Sequence, residues 1–149
     1  MPSSEQKRIL LVDDSEADLE MIKMVLDEAG YANPIDTAGS GQEALDFLFR
    51  NGAFAGRDTA QPSLVILDNK MLGLSGIEVV AEMRKNPATD LIPVVIFSSS
   101  KLSRDITDSY TNGANAYVVK PVAFEEFTRV VNNTLQYWIY TNTDSASGM

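Results

Sequence analysis

Cysteine and histidine are both missing from the 149 residues, and tryptophan occurs once. Without cysteine there is no disulfide and no thiolate metal site, so the reducing cytoplasm is the expected compartment. Without histidine the commonest general base and the commonest zinc ligand are gone, which removes most hydrolase mechanisms. No apolar run is long enough to span a bilayer, and Met1-Pro2-Ser3-Ser4-Glu5-Gln6 has no apolar signal core, so no membrane association is expected. Positive charge is scarce: 12 Lys and Arg stand against 21 Asp and Glu, a net −9. A nucleic-acid partner would be repelled unless a local basic patch met it, and none is visible. The charged partner this balance favours is a cation or a basic protein surface.

What remains is a chain with 44% hydrophobic and 22% charged residues, enough for one domain with a full core. Strand and helix patterns alternate five times. Residues 8–12 read as a strand buried on both faces. Ser15 caps a helix whose stripe Leu19, Ile22, Leu26 and Ala29 stops at Gly30. A short strand around 34–38 precedes a second helix, capped by Ser40 and Glu43 and ended by Gly52. A polar loop, 52–63, leads to a strand ending at Asp68. Ser75 and Glu78 cap a third helix. The fourth strand spans 93–97, with Ser98-Ser99-Ser100 at its end. The fourth helix, about 103–112, is the least apolar, with Ile106 and Tyr110 as its expected anchors. A last strand, 116–119, leads to a helix bearing Phe127, Val130, Val131, Thr134, Leu135 and Trp138. The domain is expected over residues 7–140, with tails at 1–6 and, frayed, at 141–149. Regular βα alternation implies an α/β fold: a doubly wound, five-stranded parallel sheet, with ligands outside the carboxyl ends of its strands.

Asp13, Asp14, Asp68, Ser98 and Lys120 all fall at such carboxyl ends. Asp13-Asp14 alone is equally readable as turn and capping residues. Taken with Asp68, if the strands are neighbours, three carboxylates converge and repel unless a divalent cation sits among them. Mg²⁺ is the expected cofactor, a hard ion that takes oxygen ligands. Lys120, before Pro121, reads either as a strand terminator or as the partner of incoming phosphoryl oxygens. The Lys120–Pro121 bond is a candidate for the cis isomer. A flavin phosphate would be repelled by Asp13-Asp14-Ser15-Glu16.

Val12-Asp13-Asp14, Ile66-Leu67-Asp68, Ser98 and Tyr117-Val118-Val119-Lys120-Pro121 resemble the receiver domain of two-component response regulators, over roughly residues 7–140. The resemblance implies the flavodoxin-like (βα)5 fold and a phosphoryl group accepted on Asp68 from a sensor histidine kinase. It implies that Asp14, Asp68 and the Lys70 main-chain carbonyl ligate Mg²⁺, with Asp13 acting through water. Ser98 would then hydrogen-bond the phosphoryl group, Lys120 balance its charge, and Tyr117 serve as an aromatic switch. The 52–63 loop, Gly113-Ala114-Asn115-Ala116-Tyr117, Lys120-Pro121-Val122 and Trp138 are also similar to small single-domain regulators that accompany phytochrome kinases, including bacteriophytochromes. Those tend to form homodimers. Phe127, Tyr137, Trp138, Ile139 and Tyr140 cannot all point inward, so an exposed remainder suggests a contact surface.

Asn69-Lys70-Met71-Leu72 departs from the family, which usually ends this stretch in proline. The Lys70 side chain either reaches the acidic rim or points to solvent. The overall expectation is a phosphoacceptor signalling protein, with catalysis confined to its own phosphotransfer and dephosphorylation. An aspartyl-phosphate phosphatase is the weaker alternative, because Lys70 stands where a second acid is needed. A pseudo-receiver that binds partners without taking up phosphate is the other alternative.

Overall fold

A computed structural model describes residues 7–143. The expected tail at 1–6, and residues 144–149 of the expected C-terminal tail, lie outside the described residues. The elements run β1 (Ile9–Val12), α1 (Glu16–Glu28), β2 (Ile35–Ala38), α2 (Gly41–Phe49), β3 (Leu64–Leu67), α3 (Gly76–Arg84), β4 (Val94–Ser98), α4 (Ser103–Thr111), β5 (Ala116–Val119) and α5 (Phe124–Leu135). A π-helical segment, Gln136–Thr141, continues α5. The strands form one sheet in the order β2-β1-β3-β4-β5, and every pairing is parallel.

Two apolar layers explain the unbroken hydrophobic runs in the central strands. Leu10, Val12, Val65, Leu67, Val94 and Ile96 face Leu48, Val79, Val80 and Met83 of α2 and α3. Ile9, Leu11, Leu64, Ile66, Val95 and Phe97 face Leu19, Ile22, Leu26, Phe127, Val131 and Leu135 of α1 and α5. Alternate residues of each strand serve opposite layers, so period 2 disappears from the sequence while remaining in the structure. The direction of strand addition reverses between β1 and β3, and an open parallel sheet leaves a crevice there at its carboxyl edge.

Capping fixes where the loops of that edge end. Ser75 and Glu78 form a reciprocal capping box at α3. Ser40 accepts from the Glu43 N–H as expected, but the Glu43 carboxylate reaches past it to the Gly39 N–H at 2.9 Å. Gly76 opens α3 so close under the Asp68 carbonyl that a Cβ there would collide with it, which holds the loop after β3 against the helix start.

Three sequence expectations are corrected. The inward residues of α4 are Asp105 and Ser109, not Ile106 and Tyr110. Tyr110 is half exposed and uses its hydroxyl to accept the N–H of Tyr117 on edge strand β5, 3.2 Å away. This edge position suits an amphipathic ring better than the apolar layer does. Every peptide bond among the described residues is trans, Lys120–Pro121 included, as the energetic preference before proline allows. Thr141 and Asn142 are not frayed: Thr141 closes the π-helical segment, and the Asn142 N–H donates to the Tyr137 carbonyl at 2.6 Å.

Candidate functional site

The carboxyl ends of β1 and β3 lie side by side because Val12 and Leu67 are register partners. The next residues, Asp13 and Asp68, therefore emerge together, and Asp14 follows one step on. One oxygen from each of Asp13, Asp14 and Asp68 falls within a 4.8 Å group. Asp13 and Asp68 are buried and Asp14 is exposed.

The Asp13 carboxylate is fully engaged. Its Oδ1 accepts the Ser15 N–H at 2.9 Å, and its Oδ2 accepts from Lys120 Nζ at 2.7 Å. Asp14 Oδ2 accepts the Leu72 N–H at 3.3 Å. Asp68 Oδ2 is 3.8 Å from Lys120 Nζ, a charge contact without a hydrogen bond. Burial pushes the Asp68 carboxyl up to about 6; Lys120 pulls it down, while Asp13 and Asp14 add to the rise. The central carboxylate is thus buried with its ammonium neighbour beyond hydrogen-bond reach.

Lys120 arrives from the far side of the sheet. Its N–H donates to the Ser98 carbonyl at 2.8 Å, fastening the end of β5 to the end of β4. Its side chain is 9% exposed and bonds Asp13 and, at 2.8 Å, Asp18 of α1. Burial lowers the Lys120 pKa, but the bonds from Asp13 and Asp18 and the charge of Asp68 outweigh it, and the net shift is upward. The ammonium stays charged across the physiological range. Ser98 is fully buried, and its hydroxyl accepts the Ser100 N–H at 3.2 Å.

Around this rim runs a second polar chain. Ser100 Oγ donates to Asp105 Oδ2 at 2.5 Å, and Lys70 Nζ lies 3.4 Å from the same oxygen. The Ser100 hydroxyl, then Lys70, hold the Asp105 carboxyl below its ordinary value. Tyr117 is half buried, and its hydroxyl donates to the Ser100 carbonyl at 2.8 Å. The Lys70 side chain is 62% exposed, as one of its two expected courses has it, and its ammonium pairs with Asp105 of α4 rather than with the acidic trio.

All the expected site residues thus come to one edge, with Tyr117 and Lys70 one step outside the acids. Two participants were missed. They are Asp18, three residues after the cap Ser15, and Asp105, in the first turn of α4. Each is defined by a tertiary contact that carries no periodic signal.

The donor set suits a hard divalent cation. Three carboxylates, Asp13, Asp14 and Asp68, gather there with oxygen as the only ligand atom they offer, and burial, with Asp13 and Asp14 adding to it, raises Asp68. The Lys70 carbonyl accepts no hydrogen bond among the described residues.

A parallel α/β sheet with acids at its switch point and a lysine closing the last strand defines a class, and the chain belongs to it: the response regulator receiver domain family matches residues 9–132. Response regulator Rcp1 of Synechocystis sp. is 30% identical over 141 residues, 95% of each chain. The crystal structure of its Mn(2+)-bound form superposes with a TM-score of 0.86, covering 94% of this chain and 99% of that one. The phosphorylated cyanobacterial phytochrome response regulator RcpA superposes with a TM-score of 0.88 at 30% identity, covering 95% of this chain and 99% of that one. The bacteriophytochrome response regulator AtBRR is 37% identical, with a TM-score of 0.72 over 87% of this chain and 92% of that one. Among the described residues no helix is long and apolar enough to cross a membrane.

Proposed function

We propose that this receiver takes a phosphoryl group onto Asp68 from the phosphohistidine of a sensor histidine kinase, with Mg²⁺, and signals by protein contact. The observation that carries this reading is the Asp68 carboxylate itself. It is buried among two further acids, with its nearest ammonium at 3.8 Å. With a pKa of about 6 it is mostly ionised at neutral pH and poised as a nucleophile. An Asp68 oxygen attacks phosphorus, the N–P bond to the donor imidazole breaks, and that nitrogen keeps the electron pair and takes a proton from solvent.

Asp14, Asp68 and the Lys70 carbonyl would hold Mg²⁺. Asp13, both of whose oxygens are already engaged, would act through water. The ion supplies positive charge to the phosphoryl oxygens. Lys120 closes the 3.8 Å gap to balance the new charge, and Ser98 turns its hydroxyl to the phosphoryl group. Ser98 and Ser100 are linked, and Ser100 holds Tyr117, so moving Ser98 releases the ring. Phosphorylation then selects between two packings of the β4–α4 segment.

The working unit in this reading is residues 7–140, acting in the cytoplasm, with catalysis limited to its own phosphorylation and dephosphorylation. The likeness to RcpA and AtBRR supports a phytochrome kinase as the phosphoryl source. Exposed Phe124, Tyr137 and Tyr140 on the last helical stretch are the surface we assign to a homodimer.

The test is intact mass after incubation with Mg²⁺ and acetyl phosphate, followed by a sizing column. The expected result is one added phosphoryl group, abolished by EDTA during the incubation, on a protein eluting as a dimer. No uptake while the metal is bound favours the pseudo-receiver. Multiple turnover of a phosphomonoester favours the phosphatase. Elution as a monomer removes the dimer.

A further inference from the structure

Lys120 has more acid around it than charge balance requires. Asp13 is at 2.7 Å, Asp18 at 2.8 Å and Asp68 at 3.8 Å. One carboxylate in hydrogen-bond contact balances the charge of a buried ammonium, and Asp13 is that one. Asp18 is supernumerary, and its position is informative. In a capping box the longer Glu or Gln three residues after the cap returns to the cap's backbone N–H. Here the Ser15 N–H is already taken by Asp13 Oδ1 at 2.9 Å, and the Asp18 side chain crosses instead to the end of β5.

An ammonium has three N–H donors, and two of these are committed to Asp13 and Asp18. A charge-assisted hydrogen bond needs about 2.8 Å, so Lys120 must advance by about 1 Å to bond an oxygen at Asp68. Asp18 holds the ammonium from α1 whereas Asp68 follows β3, so we take that advance to lengthen the bond to Asp18. We infer that Asp18 is a positioning residue: it tethers Lys120 on the α1 side and restrains it from the acceptor until phosphoryl transfer draws it across. The tether is a restraint on the rate rather than part of the metal site, because Asp18 stands outside the group formed by Asp13, Asp14 and Asp68. This inference rests on the reading of Asp68 as phosphoacceptor.

The consequence is unusual for a residue beside a reaction centre: removing its charge speeds the reaction. Asp18 is partly exposed, and ion pairs of that kind set an expected gain of about fivefold in Asp18→Asn. Because the restraint opposes a contact made only as the phosphoryl group arrives, the gain belongs in the maximal rate and not in the donor concentration at half-saturation. Asp18→Glu keeps the charge and restores the slower rate.

The experiment measures phosphoryl uptake against acetyl phosphate concentration for the wild type, Asp18→Asn and Asp18→Glu. Mn²⁺ affinity is read on the same samples by electron paramagnetic resonance. Expected are a faster maximal rate in Asp18→Asn alone, an unchanged half-saturation, and Mn²⁺ affinities within about twofold of one another. An equal or slower maximal rate in Asp18→Asn overturns the tether. So does a changed Mn²⁺ affinity, which would place Asp18 in the metal site, or a rate in Asp18→Glu as fast as in Asp18→Asn. If the wild type takes up no phosphoryl group while it binds Mn²⁺, the phosphoacceptor reading fails and the tether fails with it.

Discussion

Asp68→Asn stabilises the metal-free protein at pH 7 by about 3 kcal/mol, and the gain disappears as the pH falls below about 4. The sign follows from the direction of the shift. Burial, with Asp13 and Asp14 adding to it, raises the Asp68 carboxyl from 3.8 to about 6 against the pull of Lys120. A carboxyl raised in the folded state contributes nothing adverse below its unfolded value. Stability is lost as the pH climbs from there through about 6 and is then constant. The amide carries no charge and escapes that loss. Urea titrations at pH 7 and pH 4 in EDTA measure the difference directly. Added Mg²⁺ reverses the ranking, because it binds the wild type and stabilises it by mass action. A metal-free Asp68→Asn variant less stable than wild type at pH 7 would mean that Asp68 is already compensated, and the case for a cation there would lose its physical basis.

Lys120→Met has the opposite sign. The variant keeps the volume of the stem and removes the only ammonium among the described residues that is hydrogen-bonded to buried Asp13, together with the partner of Asp18. Breaking one side of a buried ion pair costs about 3 kcal/mol, so at pH 7 the metal-free variant falls by that amount. Its loss shrinks as the pH drops through about 6, because the Asp68 carboxyl takes up its proton and no longer needs the cation. Lys120 itself stays charged throughout, its pKa being raised, so the pH dependence belongs to the acids. Phosphoryl uptake falls by about a hundredfold, the usual effect of removing one preorganised charge from a developing anion. Melting curves across pH check the first effect and mass-resolved uptake checks the second. A Lys120→Met protein as stable and as fast as wild type would make the lysine a mere strand terminator.

Much of the site was legible because topology does the assembling. Once alternating strands and helices imply a parallel sheet, every strand-ending polar residue must share one edge, and Asp13, Asp14, Asp68, Ser98 and Lys120 needed no further information. The register of β1 with β3 then brings Asp13 beside Asp68. What escaped were contacts that no local pattern encodes. Asp18 joins Lys120 across 102 residues, and its place after Ser15 fits a capping role that Asp13 in fact takes over. The polar inward face of α4 looked like a poor helix with two apolar anchors. Its buried Asp105 is explicable only through Ser100 and Lys70, which reach it from two other loops. Of the two sequence alternatives for Lys70 the exposed one agrees with its 62% exposure, and the pair with Asp105 is an addition that no local pattern encodes. The π-helical end of the chain was invisible for a similar reason. It is held from outside, by Lys7 Nζ donating to the Ile139 carbonyl at 2.7 Å.

The central claim is that Asp68, and no other carboxylate of this crowded edge, receives the phosphoryl group. Borohydride reduces an acyl phosphate to the alcohol, so treating the phosphorylated protein and sequencing its peptides by mass spectrometry marks the acceptor as homoserine. The account predicts homoserine at position 68 alone, and none when EDTA is present during phosphorylation. Homoserine at position 13, 14 or 18, or marking that persists in EDTA, would contradict it.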